Sequence, residues 1–80
     1  MDGKLRELLD ISENDFDVVV RISREEDIAI ARQMAKQLAQ ELGFSLADVT
    51  KVATAVSELA RNIYRYAQPG KIMIRKRLEE

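Results

Sequence analysis

Residues 45–67, SLADVTKVATAVSELARNIYRYA, decide how this chain must fold. At about 100° per residue, Val49, Val52, Ala53, Val56, Leu59, Ala60, Ile63 and Ala67 fall in one apolar sector. That predicts a long helix, residues 46–67, with this sector in the core. Lys51, Thr54, Glu58, Arg61, Asn62 and Arg65 share a sector roughly opposite, so a carboxylate, an amide and two guanidinium groups lie on one polar stripe. Ser45-Leu46-Ala47-Asp48 has the form of an opening cap. Gln68-Pro69-Gly70 closes the helix, because proline bars its predecessor from the α region.

Upstream, Ile28, Ala31, Met34, Ala35, Leu38 and Leu42 recur at three- and four-residue steps, with Arg32, Lys36 and Gln40 on the other side. Ser23-Arg24-Glu25-Glu26 reads as a capping box, so a helix is expected over residues 24–42, stopped by Gly43 with Phe44 folding back onto its end. The connection to residue 46 is so short that the two helices should pack side by side. Val18-Val19-Val20-Arg21-Ile22 predicts a strand over residues 17–22 facing inward through Val18, Val20 and Ile22. Lys71-Ile72-Met73-Ile74-Arg75 alternates, which predicts a second strand over 71–77 with Ile72 and Ile74 inward. Residues 1–16 are left as an N-terminal extension, whose Leu5, Leu8 and Leu9 form too short a helical run to stand alone.

The fold class is therefore α/β (α+β): one domain over residues 1–80, a β-α-α-β unit of two helices packed on a small sheet. A two-stranded sheet is marginal by itself. Its open edges and thin core predict completion by oligomerisation, with a homodimer as the expected form.

Composition removes several chemistries. Neither Cys nor His occurs, which excludes disulfides, a thiolate nucleophile, an imidazole base and Cys- or His-based zinc sites. Acid–base work falls to carboxylates, Lys or Tyr. Thirteen basic residues against fourteen acidic ones, a net charge of -1, give no general attraction to nucleic acid or an anionic membrane. The N-terminus has no apolar leader and no apolar run reaches bilayer length, so a cytoplasmic protein without membrane contact is expected. The two helices about Gly43 have the outline of a DNA-binding module, yet the second begins Leu46-Ala47-Asp48-Val49 without base-reading or phosphate-binding side chains. No nucleic-acid partner is expected.

The stripe on the long helix has two readings. Glu58 and Asn62 stand one turn apart, and a carboxylate and an amide oxygen at that spacing can share a Mg²⁺ ion, which takes few protein ligands; Arg65 beyond them could neutralise phosphate. Equally, these are ordinary i,i+4 neighbours on a solvent-facing helix. Tyr64 and Tyr66 can stack on a base or a partner side chain, or pack against the last strand, and packing is the preferred reading. Lys71, Arg75, Lys76 and Arg77, with Arg61 and Arg65 nearby, form a local basic cluster that either guards a strand edge or meets phosphate or an acidic partner.

Four strings go further: Asp27-Ile28-Ala29-Ile30-Ala31-Arg32-Gln33, Glu41-Leu42-Gly43-Phe44-Ser45, Ala55-Val56-Ser57-Glu58-Leu59-Ala60-Arg61-Asn62-Ile63 and Tyr66-Ala67. Together they resemble the anti-sigma-factor serine kinases of the GHKL ATPase superfamily, and within these the stressosome switch kinases that phosphorylate STAS-domain proteins. The resemblance covers roughly residues 18–74 and implies a partial Bergerat-type fold in which the long helix is the N box. It implies Glu58 as the acid that orients or deprotonates the acceptor hydroxyl, Asn62 as the Mg²⁺ ligand and Arg65 as a phosphate contact. Mg²⁺ and ATP are the implied cofactors, and a STAS-domain protein or sigma-factor regulator is the implied partner. Such kinases also carry an Asp-x-Gly-x-Gly segment that reads adenine and a second glycine-rich segment over the phosphates, whereas the glycines here are Gly3, Gly43 and Gly70. That departure implies an N-terminal part or a shortened relative, which by itself binds ATP poorly and transfers no phosphate. It also keeps open a different class: a non-catalytic module that binds a protein partner or itself.

Overall fold

The computed structural model describes residues 15–76, in the order β1 (Val18–Ile22), α1 (Glu26–Glu41), α2 (Leu46–Tyr66) and β2 (Gly70–Ile74). The expectations for Leu5, Leu8, Leu9 and Arg77 lie outside the described residues. β1 and β2 pair antiparallel, with Val18 opposite Ile74, Val20 opposite Ile72 and Ile22 opposite Gly70. Alternation in a strand sends every second side chain to one face. Val18, Val20, Ile22 and Ile72 are accordingly buried, and Ile74 packs against them. On the outer face Val19 pairs with Met73, and Arg21 with Lys71.

β2 ends at Ile74 rather than continuing to residue 77, where the ladder gives way to contacts from Asp17. The Asp17 amide donates to the Ile74 carbonyl at 2.8 Å, and the Asp17 carboxylate accepts the Lys76 amide at 2.6 Å. Arg75 places its guanidinium 5.7 Å from the centroid of the Phe16 ring, within cation–π range.

The two helices pack on each other more extensively than either packs on the sheet. Ala31, Ala35 and Ala39 of α1 are buried at four-residue steps, and Val49, Ala53, Ser57 and Ala60 of α2 are buried at three- and four-residue steps. Small side chains in such rows let two helix backbones approach closely. Leu38 and Ala60 join the strand side chains in one cluster, with Ile28, Val56, Ile63 and Tyr64 packed around it.

The turn between the helices is closed by backbone geometry. Gly43 has φ +79°; its amide donates to the Gln40 carbonyl at 3.0 Å, and the Phe44 amide donates to the Ala39 carbonyl at 3.1 Å. This nested pair of bonds is a Schellman stop. Phe44 contributes its amide rather than its ring, and the residue stays 47% exposed instead of folding onto the helix end. Ser45 then caps α2 as expected, its Oγ accepting the Asp48 amide at 3.2 Å.

The start of α1 differs from the capping-box reading. The helix begins at Glu26, and the residue before it makes no side-chain cap. Asp27 reaches backwards instead, its Oδ2 accepting the amides of Ser23 at 3.0 Å and Arg24 at 2.9 Å.

Part of the predicted apolar sector is also not core. Leu59 is 50% exposed and Ala67, the residue after α2, is exposed as well; on α1, Met34 is exposed, and so is Leu42 just beyond its end. Each of these lies at an edge or end of its sector, and among the described residues the two strands and one neighbouring helix do not cover its full width. The tyrosines separate: two residues apart means about 200° apart on a helix. Tyr64 is half-buried against the cluster while Tyr66 is exposed. After α2 the Gln68–Pro69 peptide is cis, and Gly70 opens β2 opposite Ile22.

Candidate functional site

The helical rise sets the geometry of the stripe on α2. Glu58, Arg61, Asn62 and Arg65 are all exposed, while Ser57, one residue from Glu58, is buried. Its hydroxyl donates to the Ala53 carbonyl at 2.8 Å, which satisfies the buried oxygen within its own helix. Between α1 and α2 runs a groove of about 580 Å³ whose lining includes Arg32 and Lys36 from one helix and Ser57, Glu58 and Arg61 from the other.

The structure thus divides what a helical wheel puts on one stripe. Glu58 and Arg61 line the groove, and Asn62 and Arg65 do not. Among the described residues, none of Glu58, Asn62, Arg61 and Arg65 forms an ion pair or a side-chain hydrogen bond. No cluster of three or more acidic side chains capable of holding a metal occurs among the described residues. The basic cluster expected near the C-terminus is not a unit either: Arg61 sits in the helical groove, Lys71 lines a separate depression with Arg21, and Lys76 borders a third with Asp17 and Glu41.

Electrostatic tuning is visible at Asp27, on the helix that forms the other wall. The amides of Ser23 and then Arg24 donate to its carboxylate and, with the nearby Arg24 guanidinium, hold it below the usual carboxylate range against the opposing effect of burial. That carboxylate anchors the β1–α1 turn.

Wheel reasoning from α2 alone does not single out Ser57, Arg32 or Lys36 as groove residues. Arg32 and Lys36 at i and i+4 are legible as one edge of α1, but their convergence with Arg61 depends on how the helices pack. Among the described residues, no helix is long and apolar enough to cross a membrane.

No family model matches the chain, and no solved structure matches it. A curated protein does, over a stretch that makes most of this chain similar to part of an RsbT-like serine/threonine-protein kinase. The relative is the serine/threonine-protein kinase RsbT of Bacillus subtilis (strain 168), 54% identical over 55 residues. Those residues are 69% of this chain and 41% of the relative, so the chain spans well under half the length of the kinase it matches.

Proposed function

We propose that the chain supplies the N-box helix pair of a GHKL-type protein serine/threonine kinase that uses Mg-ATP to phosphorylate a STAS-domain antagonist in a cytoplasmic stress or sigma-factor pathway. The observation that carries this reading is the 54% identity over 55 residues to a serine/threonine-protein kinase. In support, Glu58 and Asn62 project from successive turns of α2 with no competing partner among the described residues.

These groups suit the cofactor in kind. Mg²⁺ prefers hard oxygen donors and keeps most of its shell as water or phosphate oxygens, so one amide oxygen on an exposed helix face is an adequate protein contribution. Asn62 would hold the ion, which when bound neutralises phosphate charge. Glu58 would accept a hydrogen bond from the acceptor hydroxyl and orient it, and Arg65 would lie against phosphate. The glycine-rich segments that would read adenine and cover the phosphates are not found in residues 1–80, so on this reading the 80 residues by themselves are inactive.

A second reading has its own observation: among the described residues β1 and β2 form a two-stranded sheet, and Met73 on its outer face is 41% exposed. On that reading the unit is a non-catalytic module that self-associates as a homodimer.

The discriminating experiment is a chimera in which residues 18–74 replace the matching stretch of the Bacillus subtilis kinase. Serine/threonine kinase activity in the chimera, lost on Glu58→Gln and shifted to higher Mg²⁺ on Asn62→Ala, supports the first reading. A folded chimera without activity, together with a concentration-dependent dimer of the 80-residue chain in sedimentation, supports the second.

A further inference from the structure

The groove between α1 and α2 concentrates a charge that the chain as a whole lacks. Arg32 and Lys36 on one wall and Arg61 on the other are exposed, and none is in an ion pair among the described residues. Glu58 is the single acid in the lining, so three cations meet one carboxylate in a chain of net charge -1. The floor is formed by Val49, Ala53 and Ser57, all buried, and the Ser57 hydroxyl is already committed to the Ala53 carbonyl at 2.8 Å. Hydrogen-bond donation to an occupant is therefore left to the walls, and Val49 and Ala53 give the floor its apolar surface.

We propose that this groove is a docking site for an acidic segment of a protein partner, one that presents carboxylates to Arg32, Lys36 and Arg61 and an aliphatic side chain to Val49 and Ala53. Arg32 and Lys36 are one helical turn apart, about 6 Å between Cβ atoms, which matches carboxylates carried at intervals on a polypeptide rather than one small anion. Guanidinium forks favour paired carboxylate oxygens. Single-stranded nucleic acid fits less well, because no aromatic side chain lines the groove for base stacking and Glu58 opposes a continuous phosphate backbone. A segment docked here lies beside Glu58, a placement that matters for phosphate transfer only on the kinase reading. Docking itself needs neither nucleotide nor phosphate transfer.

The test is fluorescence anisotropy of the 80-residue chain, without nucleotide, titrated against a fluorescein-labelled peptide of Glu, Ser and Leu at low salt and at about 0.15 M ionic strength. Arg32→Glu and Lys36→Glu are compared with Lys51→Glu, an equal charge change at an exposed position of α2 that does not line the groove. All three residues are exposed, and circular dichroism checks that each variant stays folded. The expected result is saturable, salt-sensitive binding, weakened about fivefold or more by each groove reversal and nearly unchanged by Lys51→Glu. Three results overturn the proposal: no binding at low salt, an equal loss in Lys51→Glu, or an oligonucleotide of matched charge binding as tightly with the same dependence on Arg32 and Lys36. None of these bears on whether Glu58 serves a phosphoryl acceptor, so the two readings fail separately.

Discussion

A Cβ placed on Gly70 would stand 2.5 Å from Cγ2 of Ile63, a separation that real Cβ atoms do not adopt. β2 therefore crosses the end of α2 at a position where its backbone carries no side chain. Gly70→Ala should destabilise the fold by about 1–3 kcal/mol as Ile63 is forced aside. Urea denaturation of Gly70→Ala, Ile63→Ala and the double variant tests this, because Ala at 63 removes the clashing Cγ2. A double variant less destabilised than the sum of the singles locates the clash at this pair, and strict additivity would remove it.

Gly43 is needed for a different reason. With φ +79° and no atom within 4 Å of where a Cβ would stand, its constraint is conformational and not steric. Gly43→Ala should cost about 1–2 kcal/mol, the strain of an L-residue in the left-handed region. Gly43→Asn should cost less, since Asn tolerates that region. Equal losses in the two denaturation curves would contradict this account.

Asp27 makes stability depend on acid. Its carboxylate is held below its ordinary value chiefly by the Ser23 and Arg24 amides. A depressed pKa contributes stability that is fully present above the unfolded value of about 3.9 and is lost as pH falls through the lower folded value. Thermal melts across the acid range should show a decline below about pH 4. Asp27→Asn should have a lower melting temperature at neutral pH and a flatter acid decline. An unchanged acid profile in that variant would assign the decline to other carboxylates.

The exposed and buried apolar positions should separate cleanly. Ile72, 4% exposed, joins the central cluster, and Ile72→Ala should cost about 2–5 kcal/mol. Leu59, 50% exposed, should tolerate Leu59→Ala with a loss below about 1 kcal/mol. Comparable losses would return Leu59 to the core where the helical wheel puts it.

Glu58→Gln and Asn62→Ala should leave stability within about 0.5 kcal/mol, since both side chains are exposed and neither has a partner among the described residues. Set beside the loss of phosphate transfer expected in the chimera, that outcome separates a functional from a structural role. A large stability loss in either would assign it a structural one.

Local rules suffice for the β-α-α-β order, the inward faces of both strands, the Gly43 stop and the Ser45 cap, and all of these are legible in the residues alone. Those rules are side-chain period, the left-handed allowance of glycine and the reach of a hydroxyl to an amide three residues on. Glu58, Asn62 and Arg65 are legible as a stripe because helical angle is also local. Which parts of a sector meet a neighbour is a matter of packing. Packing buries Ser57 and exposes Leu59, sets the Asp27 carboxylate where a Ser23 cap is expected, and turns Gly70 from a flexible turn residue into a point of contact. It also draws Arg61 away from the C-terminal basic cluster and sets it opposite Arg32 and Lys36. The physical reason is range: a residue's angle on its own helix follows from its neighbours in sequence, but whether that angle faces solvent, sheet or a second helix depends on contacts between segments that sequence period does not encode.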